Sequence, residues 1–144
     1  MRRWVLALAL LSPFAASAAD VLDARDAFRL VGATRIDNGL VLTWAVAPGY
    51  AVYRDRIRVT AKLPGMVAGT PFLPEGTVAP DGLGGFAEEY LAPFTMRIPV
   101  APVATGHVSV SIQGCHLLEP QVCFPPLTID VPAEGMQAGF SPRG

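Results

Sequence analysis

Apolar and polar residues alternate at every second position along much of this chain. In Leu40 to Val46, the side chains of Leu40, Leu42, Trp44 and Val46 share one face and Val41, Thr43 and Ala45 the other. That is the period-two pattern of a strand with one buried side. His107 to Gln113 repeats it, with Val108, Val110 and Ile112 pointing inward and Ser109 and Ser111 outward. Ala27 to Ile36 predicts a first strand. Asp37-Asn38-Gly39 predicts a tight hairpin turn after it, because Asn-Gly tolerates positive φ at both central positions. Pro48-Gly49 turns the chain again before Tyr50 to Tyr53. Ile57 to Ala61 sets Ile57 and Val59 on one face and Arg56 and Arg58 on the other. Phe94 to Val100 and the Leu127, Ile129, Val131 series supply two more strands. Residues 64–85 are rich in Gly and Pro and predict loops with one short strand near Phe72. Glu88 and Glu89 predict a solvated face, and the chain from Pro132 onward a frayed tail. Many short strands at close spacing, with no amphipathic helix and no internal repeat, predict an all-β fold: an immunoglobulin-like antiparallel β-sandwich.

The first residues carry a different signal. Met1-Arg2-Arg3 is a short basic start, and Trp4 to Leu11 is an apolar run too short to span a bilayer. Ala16-Ser17-Ala18 offers the small residues that signal peptidase needs. The sequence therefore divides into a signal peptide over 1–19, a single domain over 20–131 and a tail over 132–144. Without Arg2 and Arg3, 9 of the 11 basic residues remain against 12 acidic ones, a net charge of −3. A mildly acidic chain with no basic stripe argues against nucleic-acid binding.

Export matters because the chain holds two cysteines, Cys115 and Cys123, separated by seven residues. In an exported protein such a pair predicts a disulfide. One reading is structural: closing a nine-residue loop stabilises a fold by about 2.5 kcal/mol in the chain-entropy picture. The other is a working redox pair. Three features point to the second reading. The loop is local, it sits at the end of a hairpin where a partner can reach it, and an immunoglobulin bridge would instead join distant strands through the core.

Gln113-Gly114-Cys115 followed by Cys123-Phe124-Pro125-Pro126 resembles the signature of the N-terminal periplasmic domain of the DsbD thiol:disulfide interchange family. Leu42-Thr43-Trp44, Gly49-Tyr50, Tyr53-Arg54 and Ile57-Arg58-Val59 agree with that family in order, and Asp81 through Tyr90 agrees loosely with its cap segment. The resemblance covers residues 24–131. It implies an immunoglobulin-like sandwich in the periplasm that belongs to a protein-disulfide reductase system and needs no cofactor and no metal. The cysteine pair would take electrons from a membrane-bound reductase through a thioredoxin-like domain. It would pass them to oxidised thioredoxin-like partners, such as a disulfide isomerase or the thioredoxin of cytochrome c maturation. By family position, Cys123 would be the attacking sulfur and Cys115 the resolving one. Asp81 and Leu83 of the cap, with Tyr53 and Phe124, would surround them. The cap is expected to lie over the pair, with Leu83 as the contacting side chain.

The chain also departs from the family. Seven residues lie between its cysteines where five are usual, and Pro120 is among them. Leu83 stands where a capping Phe is expected, Gly84 replaces an aromatic residue, Gly82 an acidic one and Ala51 a tyrosine. The family's membrane region and thioredoxin-like domain are absent from this sequence, which fits either a free-standing relay or a fragment. His116 is expected to be a solvent-facing loop residue, and a Cys-His-Cys metal site has too few ligands to compete with that. The alternative to a relay is a non-enzymatic periplasmic binding or adaptor module with a structural disulfide. Reducibility separates the two, since structural bridges sit below about −300 mV.

Overall fold

The computed structural model describes residues 20–136. Twelve strands follow in chain order. They are β1 (Phe28–Ile36), β2 (Gly39–Val46), β3 (Tyr50–Tyr53), β4 (Arg58–Ala61), β5 (Thr77–Pro80), β6 (Phe86–Tyr90), β7 (Phe94–Pro99), β8 (His107–Ile112), β9 (Gly114–His116), β10 (Val122–Cys123), β11 (Leu127–Pro132) and β12 (Gly135–Met136). One helical turn, Ala24–Ala27, precedes β1, and a 3-10 turn, Arg54–Arg56, separates β3 from β4.

All strand pairs are antiparallel, in three sheets of order β12-β1-β2-β7, β10-β9-β3-β6-β5 and β11-β8-β4. The last two are halves of one bent layer. The chain runs from β8 into β9 through Gln113 alone, and β3 and β4 flank the 3-10 turn. Tyr53 N–H donates to the Gln113 carbonyl (3.0 Å) and bridges the bend. The fold is thus a two-layer antiparallel β-sandwich. Its core is the set of inward positions that the alternation marks: Leu40, Leu42 and Trp44 of β2, Met96 and Ile98 of β7, and Val108, Val110 and Ile112 of β8 are all fully buried. Burying each such side chain contributes about 1.5–3 kcal/mol.

Three expectations are corrected. The Gly- and Pro-rich middle contains β5, and the stretch after it forms β6, so the two make a hairpin; the segment near Phe72 makes only an isolated bridge to Arg97. The chain beyond Pro132 is not all tail. Gly135, at φ +88°, turns it so that β12 pairs with Ala33 and Thr34 of β1; positive φ is strained for any residue with a Cβ. Glu89 does not lie on a solvated face but is 6% exposed. The proposed signal peptide and residues 137–144 of the proposed tail lie outside the described residues.

Candidate functional site: a disulfide between a buried and an exposed strand

Cys115 and Cys123 are bonded to each other, with their Cα atoms 4.0 Å apart. They face each other in the β9–β10 register, next to the His116–Val122 pair. The two sulfurs have unequal surroundings. β9 lies between β10 and β3, so Cys115 also pairs with Ala51 and is buried, 5% exposed. β10 is the edge of the sheet and Cys123 is exposed.

Alternation divides the neighbours between two faces. On the inner face, Tyr50 and His116 are opposite each other in register, and their rings pack 4.7 Å apart. Phe28 meets Tyr50 and Phe124 edge-on at 6.0 and 5.8 Å, and Phe124 stacks on Tyr50 at 6.3 Å. Phe124 is fixed by its N–H to the Gly114 carbonyl (3.0 Å) and by Gln113 Nε2, which donates to its carbonyl (3.2 Å). An aromatic platform therefore holds both ends of the cysteine hairpin. Gly114 belongs to it by necessity. A Cβ there would strike the Ala51 carbonyl and would stand 2.5 Å from Phe28 Cζ.

His116 corrects a further expectation. It is buried, 8% exposed, with Nδ1 2.8 Å from the Pro120 carbonyl. It is not a solvent-facing loop residue, because Cys115 and His116 sit on a strand in which His116 takes the inward position. The rest of the inter-cysteine loop is also tied down. Leu117 N–H donates to the Gly49 carbonyl (2.9 Å), and Gln121 Nε2 to the Leu117 carbonyl (3.1 Å). The Glu119–Pro120 peptide bond is cis.

On the outer face, with Cys115, lie Ala51 and Tyr53 of β3 and Glu89 of β6, the register partner of Tyr53. Burial, and then the charge of Glu89, push the Tyr53 hydroxyl pKa up. Burial raises the Glu89 carboxyl pKa as well. Glu88, one residue earlier, is on the opposite face, where it pairs with Arg54 at 3.5 Å and accepts from Gly76 N–H at 2.6 Å.

The cap segment is the tip of the β5–β6 hairpin. Asp81 Oδ1 accepts from the backbone N–H groups of Leu83 (2.7 Å) and Gly85 (2.9 Å), and these two bonds hold its carboxyl below the usual range. Asp81 thus builds the turn. Leu83 is 91% exposed and Phe86 76%. Leu83 therefore buries almost nothing against the pair, which corrects its expected role as the contacting side chain. The reason is the turn itself: Gly82 and Gly84 both take positive φ, and the hairpin carries Leu83 out into solvent.

The sequence missed Tyr50, His116 and Glu89. Tyr50 and His116 were within reach, since both sit at strand positions of inward parity once Cys115 is placed outward. Glu89 was not, because its burial depends on β6, which has no clean alternation.

The family profile described as "Thiol:disulfide interchange protein DsbD, N-terminal" matches residues 18–134. The thiol:disulfide interchange protein DsbD of Yersinia pestis is 34% identical over 106 residues, which is 73% of this chain and 17% of that protein. DsbD 2 of Pseudomonas aeruginosa is 33% identical over 118 residues, 81% of this chain and 19% of that protein. The chain thus spans about a fifth of the length of these relatives. Among solved structures, the reduced N-terminal domain of Neisseria meningitidis DsbD superposes with a TM-score of 0.65 at 24% identity, covering 78% of this chain and 88% of that one. A complex between the DsbD and PilB N-terminal domains of the same organism gives 0.63 at 20% identity, covering 85% and 97%. These structures share the sandwich fold. With a profile match over residues 18–134 and cysteines placed as a bonded cross-strand pair, the chain belongs to the DsbD N-terminal domain family.

Proposed function

We propose that this domain is a periplasmic thiol–disulfide relay that passes reducing equivalents through Cys115 and Cys123 to oxidised thioredoxin-like partners. The observation that carries the reading is the asymmetry of the pair: one cysteine is buried on an inner strand and the other is exposed on an edge strand. Attack by a thiolate requires access and charge, and Cys123 has the access. In the reduced domain the Cys123 thiolate attacks a partner disulfide. A Cys123–partner bond forms and one partner sulfur leaves as a thiolate. Cys115, having lost its proton, then attacks Cys123 Sγ. The intramolecular disulfide closes and the second partner thiolate departs. Two electrons pass to the partner, and the two thiol protons go to the departing sulfurs or to solvent.

Tyr53 and Phe124 frame the pair from its two faces, and Asp81 shapes the hairpin that carries Leu83. An export signal over residues 1–19 would deliver the domain to the periplasm, where a membrane-bound reductase would recharge it. Among the described residues no helix is long and apolar enough to cross a membrane. A related domain has been solved in complex with the PilB N-terminal domain, which supports a protein as the exchange partner.

The test is covalent trapping. Reduced Cys115→Ala, mixed with an oxidised thioredoxin-like protein, should accumulate a mixed disulfide on non-reducing gels, and reduced Cys123→Ala should capture nothing. Equal trapping by both variants would refute the assigned roles. No trapping by either, with a bridge that resists mild reductant, would replace the relay with a binding module held by a structural disulfide.

A further inference from the structure

Glu89 and His116 are the buried polar or charged side chains among the described residues. His116 has a partner in the Pro120 carbonyl. For the Glu89 carboxylate, no hydrogen bond or ion pair is found among the described residues, and the neighbouring ion pair belongs to Glu88. Burial raises the Glu89 carboxyl pKa, while the residue also lines an open groove, so the carboxyl keeps access to water on one side.

Its position follows from the register. Glu89 faces Tyr53 across β6–β3, and Tyr53 is two residues from Ala51, which faces Cys115 across β3–β9. Side chains two apart on a strand share a face, so Glu89, Tyr53, Ala51 and Cys115 form one outer-face row. Two strand spacings and one two-residue step place the Glu89 and Cys115 backbones about 12 Å apart. Ala51, fully buried, is the small member of this row, and Tyr53 stands between it and Glu89.

We propose that Glu89 is a positioning acid of the exchange site, which favours the thiol form of Cys115 and so leaves Cys123 as the sulfur that captures a partner. The inference rests on the relay reading for its purpose. Its physics requires only that the disulfide can be opened. A carboxylate on the same face opposes ionisation of Cys115, the nearer sulfur, more than that of Cys123, which is one strand further away. The buried thiol is thereby kept from competing with Cys123 as the attacking nucleophile, so the first bond to the partner forms at Cys123.

The other groups around Glu89 do not cancel this effect. Tyr53 faces it from β3 and stays neutral, its hydroxyl pKa raised by burial and by Glu89 itself. Thr77 faces it from β5 and carries no charge. Arg54 is engaged by Glu88 and by the Pro74 and Leu73 carbonyls. Asp55 and Arg56 of the adjoining 3-10 turn are exposed. Glu75 lines the same open groove as Glu89 and Thr77 and adds negative charge.

The experiment measures the Cys115 thiol pKa from the pH dependence of alkylation, in a Cys123→Ser background where Cys115 is the single thiol. Adding Glu89→Gln should lower that pKa by about half a unit to one unit, as expected for one charge at this range on a half-wet face. Below the pKa, alkylation should then be about three- to ten-fold faster. Glu89→Asp, which keeps the charge, should stay near the parent value. Unchanged pKa in Glu89→Gln, with the fold intact by circular dichroism, would overturn the proposal. Should Glu89→Gln not fold, Glu89→Met removes the same charge and gives the same test, and an unchanged Cys115 pKa there would overturn the proposal. The measurement uses no partner. Failed trapping with intact coupling would reject the relay alone, and successful trapping without coupling would reject the role of Glu89 alone.

Discussion

The Phe28 ring occupies the space that a side chain at Gly114 would need. A Cβ there would sit 2.5 Å from Phe28 Cζ and 2.9 Å from Cε1, and the Ala51 carbonyl blocks the other direction. Neither obstacle is the free end of a flexible chain: one is a ring packed between Tyr50 and Phe124, the other is backbone of β3.

Gly114→Ala is therefore expected to destabilise the domain by about 2–3 kcal/mol, the upper part of the range for overpacking. Denaturant unfolding of the oxidised protein checks this. A loss of only a few tenths would show that the aromatic platform can move aside.

In the reduced wild-type protein, Cys123 should be alkylated on the order of ten-fold faster than Cys115, because access limits the buried sulfur. Peptide mapping after a short pulse of reagent separates the two. Equal labelling would contradict the asymmetry between β9 and β10.

The tip of the β5–β6 hairpin should loosen in acid. The Asp81 carboxyl pKa is lowered by accepting bonds from Leu83 and Gly85. A depressed folded pKa means that the turned state binds fewer protons than the open one between that pKa and the ordinary Asp value of about 3.9. The contribution is fully present above the ordinary value and is lost as pH falls through the depressed one. Protection of the Leu83 and Gly85 amides, measured against their intrinsic exchange rates, should fall over that window, and Asp81→Ala should lack it at every pH. Protection that does not change with pH in the parent would refute the turn's dependence on this carboxylate.

Arg35 closes the far end of the sandwich by donating to the carbonyls of Ala133 (2.9 Å), Ala101 (2.8 Å) and Pro102 (3.1 Å). Arg35→Met keeps most of the side-chain volume and removes all three bonds. A loss of about 1.5–3 kcal/mol is expected, since the donor is charged and the sites are partly buried. Thermal unfolding measures it, and an unchanged midpoint would show that water replaces the guanidinium fully.

The parts of the fold legible in the sequence are those whose hydrophobic burial repeats at period two. Leu40, Leu42 and Trp44, or Val108, Val110 and Ile112, specify both a strand and its inward face. The β5–β6 hairpin was not legible because Val78 and Phe86 remain exposed at its outer end, so no one-sided pattern is imposed on it. The β12 pairing is set by the turn at Gly135 rather than by any run of apolar residues. At the site, the cysteines and Phe124 were marked by their motif. His116 was misjudged because adjacency to Cys115 suggested a loop, whereas β9 carries pairing through that residue to Val122. The role given to Leu83 failed because an expectation about shielding was attached to a turn whose geometry Asp81 and two glycines decide.

β10 consists of Val122 and Cys123, and among the described residues β9 is its one strand neighbour. The bond between Cys115 and Cys123 therefore runs from the interior to the outermost strand. Opening it frees a two-residue border and leaves the Phe28–Gly114–Ala51 packing in place. The oxidised and reduced domains should consequently be nearly superimposable everywhere except at that border, so a partner can read the redox state only by touching it there.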